Sequence, residues 1–125
     1  MIKVVCGIIK NQGNFFICRR KPEKFLGTFW EFPGGKIEKG ESEIDALHRE
    51  LQEELEMSVK VEKYLGSSIY EEGEFKIKLI AYLCSLANYN GKLTDHDAFN
   101  WVPIENLLSF NLAPADILIA KMIAN

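Results

Sequence analysis

Cysteine is scarce in this chain, with three in 125 residues. An odd number cannot all pair, and Cys6, Cys18 and Cys84 each lie in apolar, strand-like surroundings. Reduced, buried thiols are expected rather than a disulfide framework. None has the spacing of zinc ligands. Apolar runs are also short. None reaches the roughly 20 residues that a membrane-spanning helix needs, so no membrane partner is expected. The opening residues read as a strand and not as a secretory leader, which with the thiols points to the cytoplasm. No internal repeat or low-complexity tract is present. Charge of one sign is not in large excess: the formal net charge is −3. Such a balance provides no reason to expect binding to a nucleic acid polymer. The length leaves room for one domain, 1–125, with one core. A hydrophobic content of 47% argues against disorder.

The acid that is present is concentrated. Residues 31 to 62 hold ten acidic and four basic residues, while Arg19, Arg20, Lys21 and Lys24 form a separate basic group. From Ser42 onward, Ile44, Leu47, Leu51 and Leu55 recur every three or four positions, the buried stripe of an amphipathic helix. With Ile44 at zero the stripe centres near roughly 345°. Glu50, Glu53 and Glu54 then fall near roughly 240°, 180° and 280°, on a second face beside it. Ala46 lies one turn before Glu50 on that face and is expected to leave room for an ion and a bulky anion. Like charges packed this closely repel. The arrangement makes sense around a hard divalent cation that prefers carboxylate oxygen, such as Mg²⁺, with Mn²⁺ as a substitute. Arg49, on the far flank, is placed to hold Glu41 or another carboxylate.

Elsewhere, Val4 to Lys10 and Phe15 to Arg20 read as a hairpin about Asn11–Asn14. Residues 21 to 29 are a loop, and Trp30–Phe32 is extended. Val59 to Tyr70 and Glu74 to Leu86 form a longer hairpin. Residues 87 to 97 read as a polar loop and Phe99 to Val102 as the last strand. Pro103 to Leu108 is a short helix, and Pro114 to Ala124 is a terminal helix with proline at its start. The elements predict an α+β or α/β sandwich, a mixed sheet between helices.

The spacing Gly35-x5-Glu41, seven residues, then Arg49-Glu50-Leu51-Gln52-Glu53-Glu54 resembles the signature of the Nudix hydrolases. The resemblance implies an α/β/α sandwich over essentially the whole chain. One position departs: Glu56 stands where the family has glycine. A left-handed glutamate there costs about 1 kcal/mol, unless the helix ends differently.

The resemblance implies metal-assisted hydrolysis of a nucleoside diphosphate linked to another group. Glu50, Glu53 and Glu54 bind metal. The backbone carbonyl of Gly35 adds a ligand, because glycine allows close approach. One carboxylate, Glu53 or Glu50, orients or deprotonates water. Asp95 matches a position where related enzymes place a further acidic ligand; the alternative is an ordinary loop carboxylate. Arg20 and Lys36 meet phosphate oxygens, Arg20 being favoured over Arg19, which points to the opposite face. His48 is expected to be a structural or surface residue. His96, beside Asp95 in a loop, is expected to act on the site only through a neighbour.

Glu31-Phe32-Pro33-Gly34-Gly35-Lys36, Arg19-Arg20 and Leu112-Ala113-Pro114-Ala115-Asp116 resemble the MutT branch and its relatives, the CTP pyrophosphohydrolases. In these the last motif meets the base. An ionised Asp116 only accepts hydrogen bonds, which suits cytosine and guanine or 8-oxoguanine alike. Phe32 or Phe75 stacks on the base. Hydrolysis of 8-oxo-dGTP to the monophosphate and pyrophosphate leads, with CTP or dCTP as the alternative. ADP-ribose or a dinucleotide is disfavoured by the short chain. A non-catalytic nucleotide-binding module, motivated only by Glu56, is the reading from another class. A monomer or homodimer is expected.

Overall fold

The computed structural model describes residues 1–124. A short hairpin, a long hairpin and two helices follow from the sequence in the expected order. The strands are β1 (Ile2–Asn11), β2 (Asn14–Arg20), β3 (Trp30–Glu31), β4 (Gly34–Lys36), β5 (Ser58–Glu72), β6 (Phe75–Asn88) and β7 (His96–Pro103). The helices are α1 (Glu43–Leu55) and α2 (Pro114–Ala124), with a 3-10 helix over Ile104–Ser109. The sheet runs β3-β2-β1-β6-β5; β4 pairs with β1 and β7 with β2. Among the described strands β1 and β6 pair in parallel and the other ladders are antiparallel, with an isolated parallel bridge between Trp30 and Leu112. This is the expected mixed sheet.

Alternation along the strands divides the core in two. Val5, Ile9, Phe16 and Cys18 pack towards α1, with Leu47, Leu51 and Leu55. Cys6, Ile8, Phe15 and Ile17 pack towards α2, with Ile119 and Ala120. All three thiols are buried and free. Among the described residues, no helix is long and apolar enough to cross a membrane.

Ser42 caps α1, its Oγ accepting from the Asp45 N–H at 3.1 Å. The buried arc differs from the expected stripe in two places. Ile44 is 40% exposed, and Ala46 is fully buried in the core beside Leu47. The arc is therefore rotated towards the carboxylates, and Ala46 packs against the sheet instead of opening space for an ion. The helix ends in the left-handed conformation at Glu56 (φ 49°, ψ 42°). The Glu56 N–H donates to Gln52 O at 3.1 Å and the Met57 N–H to Leu51 O at 3.2 Å. The turn the family makes with glycine is made here by glutamate, whose carboxylate reaches Lys92 Nζ at 2.6 Å. The stretch read as a polar loop over 87–97 is shorter than expected. β6 continues to Asn88, and β7 begins at His96, because β2 continues to pair with this segment as far as Arg20.

Candidate active site

Glycines let α1 approach β4. Gly34 sits where a Cβ would lie 1.9 Å from the Val5 carbonyl oxygen, so only glycine permits the β1–β4 ladder there. At Gly35 a Cβ would lie 2.3 Å from Glu50 Cδ. The helix thus brings a carboxylate directly against the Gly-Gly segment.

Arg49 organises one side of the cluster. Its Nε meets Glu41 Oε2 at 2.6 Å and its Nη2 meets Glu41 Oε1 at 2.9 Å, a two-point clasp. Nη1 reaches Glu50 Oε1 at 2.9 Å and Glu53 at 3.4 Å, and Nη2 also donates to Lys36 O at 3.1 Å. These bonds hold the Glu41 carboxyl down at about 2 and raise the Arg49 guanidinium above its ordinary value, Glu41 being the main cause. Glu50 is pushed up by burial, against the pull of Arg49. Among the described residues Glu54 has no ion-pair partner. Burial, followed by repulsion from Glu50, Asp95 and Glu31, raises it to about 8.

A cleft of about 640 Å³ opens beside this cluster. Its walls include Gly35, Glu50, Glu54, Asp95, Arg20 and Lys36, and also Phe32, Phe75 and Asp116. Polar and apolar candidates read from the sequence therefore share one hollow. Glu53, Glu41 and Arg49 do not line it; the Glu53 side chain is exposed. Lys36 is exposed at the end of β4. Asp95 pairs with Lys24 at 3.2 Å, and its carbonyl accepts from the Lys21 N–H at 3.1 Å, tying down the 21–29 loop. In that loop Phe25 meets the Phe75 ring edge-on, centroids 5.3 Å apart. Arg19 points away from Arg20, to Asp97 at 2.8 Å and over Trp30.

Asp116 is buried at the start of α2, and its Oδ2 accepts the Phe32 N–H at 2.9 Å. Burial, then the charge of Glu31, pushes its carboxyl well up. The expectation of a purely accepting Asp116 rests on its ionised form, which burial opposes.

One residue, Glu31, escaped the reading of the sequence, and another, His96, was expected in the wrong place. Glu31 lines the cleft and meets both Arg20 Nη1 (3.4 Å) and His96 Nε2 (2.8 Å). His96 is not in a loop; it opens β7 and is buried. The available signal for Glu31 was a charge between Trp30 and Phe32 in an extended run. For His96 the expectation of acting through a neighbour stands beside its contact with Glu31, but the loop placement, suggested by Asp95 and Asp97 on either side, does not hold. His48 is exposed, as expected. Cys18, Glu31 and His96 together offer ligand-type atoms within 4.8 Å of one another.

The model of the NUDIX domain matches residues 4–122. The chain belongs to the Nudix family. It is accordingly a hydrolase of phosphoric anhydride bonds, from a family that generally uses divalent metal. This Nudix chain is 38% identical to the CTP pyrophosphohydrolase of Escherichia coli, over 94% of its own length and 87% of that protein's. It is 34% identical to a putative 8-oxo-dGTP diphosphatase 2 of Mycobacterium tuberculosis, over 90% and 81% of the two lengths. Among solved structures, the MutT protein of Methanosarcina mazei superposes with a TM-score of 0.87 at 26% identity, covering 96% of this chain and 90% of that one. The Nudix helix, in this chain α1, carries Glu50, Glu53 and Glu54, with Glu50 against the Gly-Gly segment of β4.

Proposed function

We propose that this Nudix hydrolase is a nucleoside triphosphate pyrophosphohydrolase, working as one domain over residues 1–125 and releasing a nucleoside monophosphate and pyrophosphate. One observation carries the reading: a single cleft is lined both by carboxylates and cationic side chains and by apolar walls with a buried Asp116. The first set suits a polyphosphate and the second a base.

Glu50, Glu53 and Glu54, with the Gly35 carbonyl, would hold Mg²⁺ or Mn²⁺, and Asp95 would add a further oxygen. The donor set fits: it is all oxygen, and Glu50 and Glu54 are half-buried carboxyls whose ionised forms need a countercharge. When bound, the cation neutralises phosphate charge and makes water a better nucleophile. Arg20 and Lys36 neutralise phosphate oxygens from the protein side. Arg49 and Glu41 keep Glu50 aimed at Gly35. Glu53 or Glu50 takes the proton from water: Arg49 approaches Glu53 only at 3.4 Å and it is the more exposed, while Glu50 lines the cleft.

For the base, 8-oxo-dGTP is the leading substrate, which makes the role sanitation of the nucleotide pool. A cleft of about 640 Å³ accommodates a purine. Of the two aromatic candidates, Phe75 provides the more open surface for it, Phe32 being largely buried in the cleft wall, and Asp116 faces its hydrogen-bonding edge. A second reading, CTP or dCTP, is favoured by the relative of that activity at 38% identity over nearly the full chain.

The test is a steady-state panel of 8-oxo-dGTP, dGTP, CTP and dCTP with Mg²⁺, scoring pyrophosphate against inorganic phosphate. Pyrophosphate release, with kcat/KM for 8-oxo-dGTP at least about tenfold above dGTP, is expected, a margin of about 1.4 kcal/mol. CTP in first place selects the second reading. Nucleotide binding without turnover makes the chain a non-catalytic module. Asp116→Asn should reorder the four substrates and leave the Mg²⁺ dependence unchanged; a proportional loss on all four removes Asp116 from base reading.

A further inference from the structure

We propose that His96 is a positioning residue, which fixes the Glu31 carboxylate and through it the Arg20 guanidinium at the wall of the cleft. The proposal rests on the reading of Arg20 as a phosphate contact.

Three strands deliver the three side chains. On β7, His96 pairs with Arg20 of β2 at a register shift between Arg19 and Arg20. On β3, Glu31 pairs with Cys18 of β2, two residues from Arg20 and on the same face. His96 Nε2 lies 2.8 Å from Glu31 Oε2, and Arg20 Nη1 lies 3.4 Å from the same oxygen. The remaining anchor of Arg20 is its Nε, which donates to Phe25 O at 2.8 Å. Exposure rises along the chain: the His96 side chain is 0% exposed, Glu31 18% and Arg20 23%. The buried end is rigid and the open end faces the cleft.

The histidine has one further property. With the Nε2 proton on the bond to Glu31, Nδ1 is a bare acceptor, and it is buried with no hydrogen-bond partner among the described residues. A buried unpaired acceptor opposes folding. An apolar side chain would fill the space without that opposition. The bond to Glu31 is the feature that only a donor at this point supplies. Without it, Glu31 would keep Arg20 alone as a partner, at a longer distance, and both could turn away. A guanidinium that must meet phosphate oxygens in a defined direction needs such a support.

The experiment compares the full wild-type chain with His96→Leu, His96→Gln, Glu31→Gln and the double variant Glu31→Gln/His96→Leu. The readouts are kcat and KM with Mg²⁺ and the best nucleotide of the panel, and thermal melting. His96→Leu should raise KM about tenfold with a smaller change in kcat and an undiminished melting temperature. His96→Gln, whose amide N–H can reach Glu31, should recover most of the loss. The double variant should be no worse than Glu31→Gln alone. A His96→Leu loss that recurs at full size in the Glu31→Gln background, or a His96→Gln variant as impaired as His96→Leu, overturns the proposal.

The bond is also read without substrate. The ¹⁵N–¹H imidazole spectrum should show one slowly exchanging Nε2–H, from His96, since His48 is exposed. A proton on Nδ1 instead overturns the proposal whatever the activity. An intact Nε2–H signal in a wild-type chain that cleaves no nucleotide overturns the pyrophosphohydrolase reading, and with it the phosphate role of Arg20, while the His96–Glu31 bond stands.

Discussion

At the scale of single residues, the site shows how small differences in surroundings give similar side chains different work. Glu50, Glu53 and Glu54 lie within five residues of α1. Glu50 is held against Gly35 by Arg49, Glu54 is half-buried with no cationic partner among the described residues, and Glu53 faces water. The exposed one is the best placed to exchange protons. Glu53→Gln is therefore expected to lower kcat by about 10²–10⁴-fold, the usual contribution of a general base, with an unchanged melting curve. Activity near wild type would move the base role to Glu50. The adjacent glycines separate in the same way. At Gly35 an added methyl meets the end of a side chain, so Gly35→Ala should displace the Glu50 carboxylate, weaken Mg²⁺ binding at least tenfold by calorimetry and cost little stability. At Gly34 it meets the Val5 backbone, so Gly34→Ala should lower stability by more than about 2 kcal/mol in denaturant titration. Equal effects of the two substitutions would contradict this division.

At the scale of elements, α1 is the part of the molecule most clearly specified by its own sequence. Ser42 starts it, the Leu47, Leu51 and Leu55 stripe seats it, and Glu50 and Glu54 lie along one edge of the stripe while Glu53 faces solvent. Its end is the exception. Glu56 adopts a backbone conformation that costs a side chain about 1–2 kcal/mol relative to glycine. Its exposed pair with Lys92 offsets up to about 1 kcal/mol of that. Glu56→Gly is then expected to stabilise the chain by about 0.5–1 kcal/mol, measured by denaturant unfolding, with kcat unaltered. A destabilised variant would mean that the Lys92 pair is worth more than the backbone strain. The ends of β6 and β7 were less legible. Asn88 is polar and precedes a polar stretch, His96 lies between two aspartates, and their pairing partners on β5 and β2 make them strand residues.

At the scale of the whole molecule, the clustered acid links stability to pH and to metal. The Glu54 carboxyl, at about 8 in the fold against an ordinary 4.5, keeps a proton that the unfolded chain has released. Between those values the native state binds more protons, so the metal-free protein should lose stability as pH rises from about 4.5 to about 8. Glu41 acts in the opposite sense at low pH. Its carboxyl, held at about 2, contributes stability that is lost as pH falls from 4.5 towards that value. Mg²⁺ binding the ionised cluster should raise the melting temperature more at pH 8 than at pH 5. Glu54→Gln should flatten the decline between pH 5 and pH 8 in the metal-free protein. A melting temperature that rises over that range without metal would show that Glu54 is not held protonated.

The sequence by itself determined the local arrangements: the capped amphipathic helix with its carboxylates, the Gly-Gly segment before it, the hairpins, and the family to which these spacings belong. All depend on neighbours a few residues apart, where helix and strand periodicity dictates which side chains share a face. Tertiary structure alone decided what depends on distant chain segments. It buried Asp116 against Phe32, which raised its carboxyl, turned α1 so that Ala46 joined the core, and placed His96 beside Glu31 across 65 residues. Burial and charge at these positions come from strands that pair across the sheet, and no short stretch of sequence contains them.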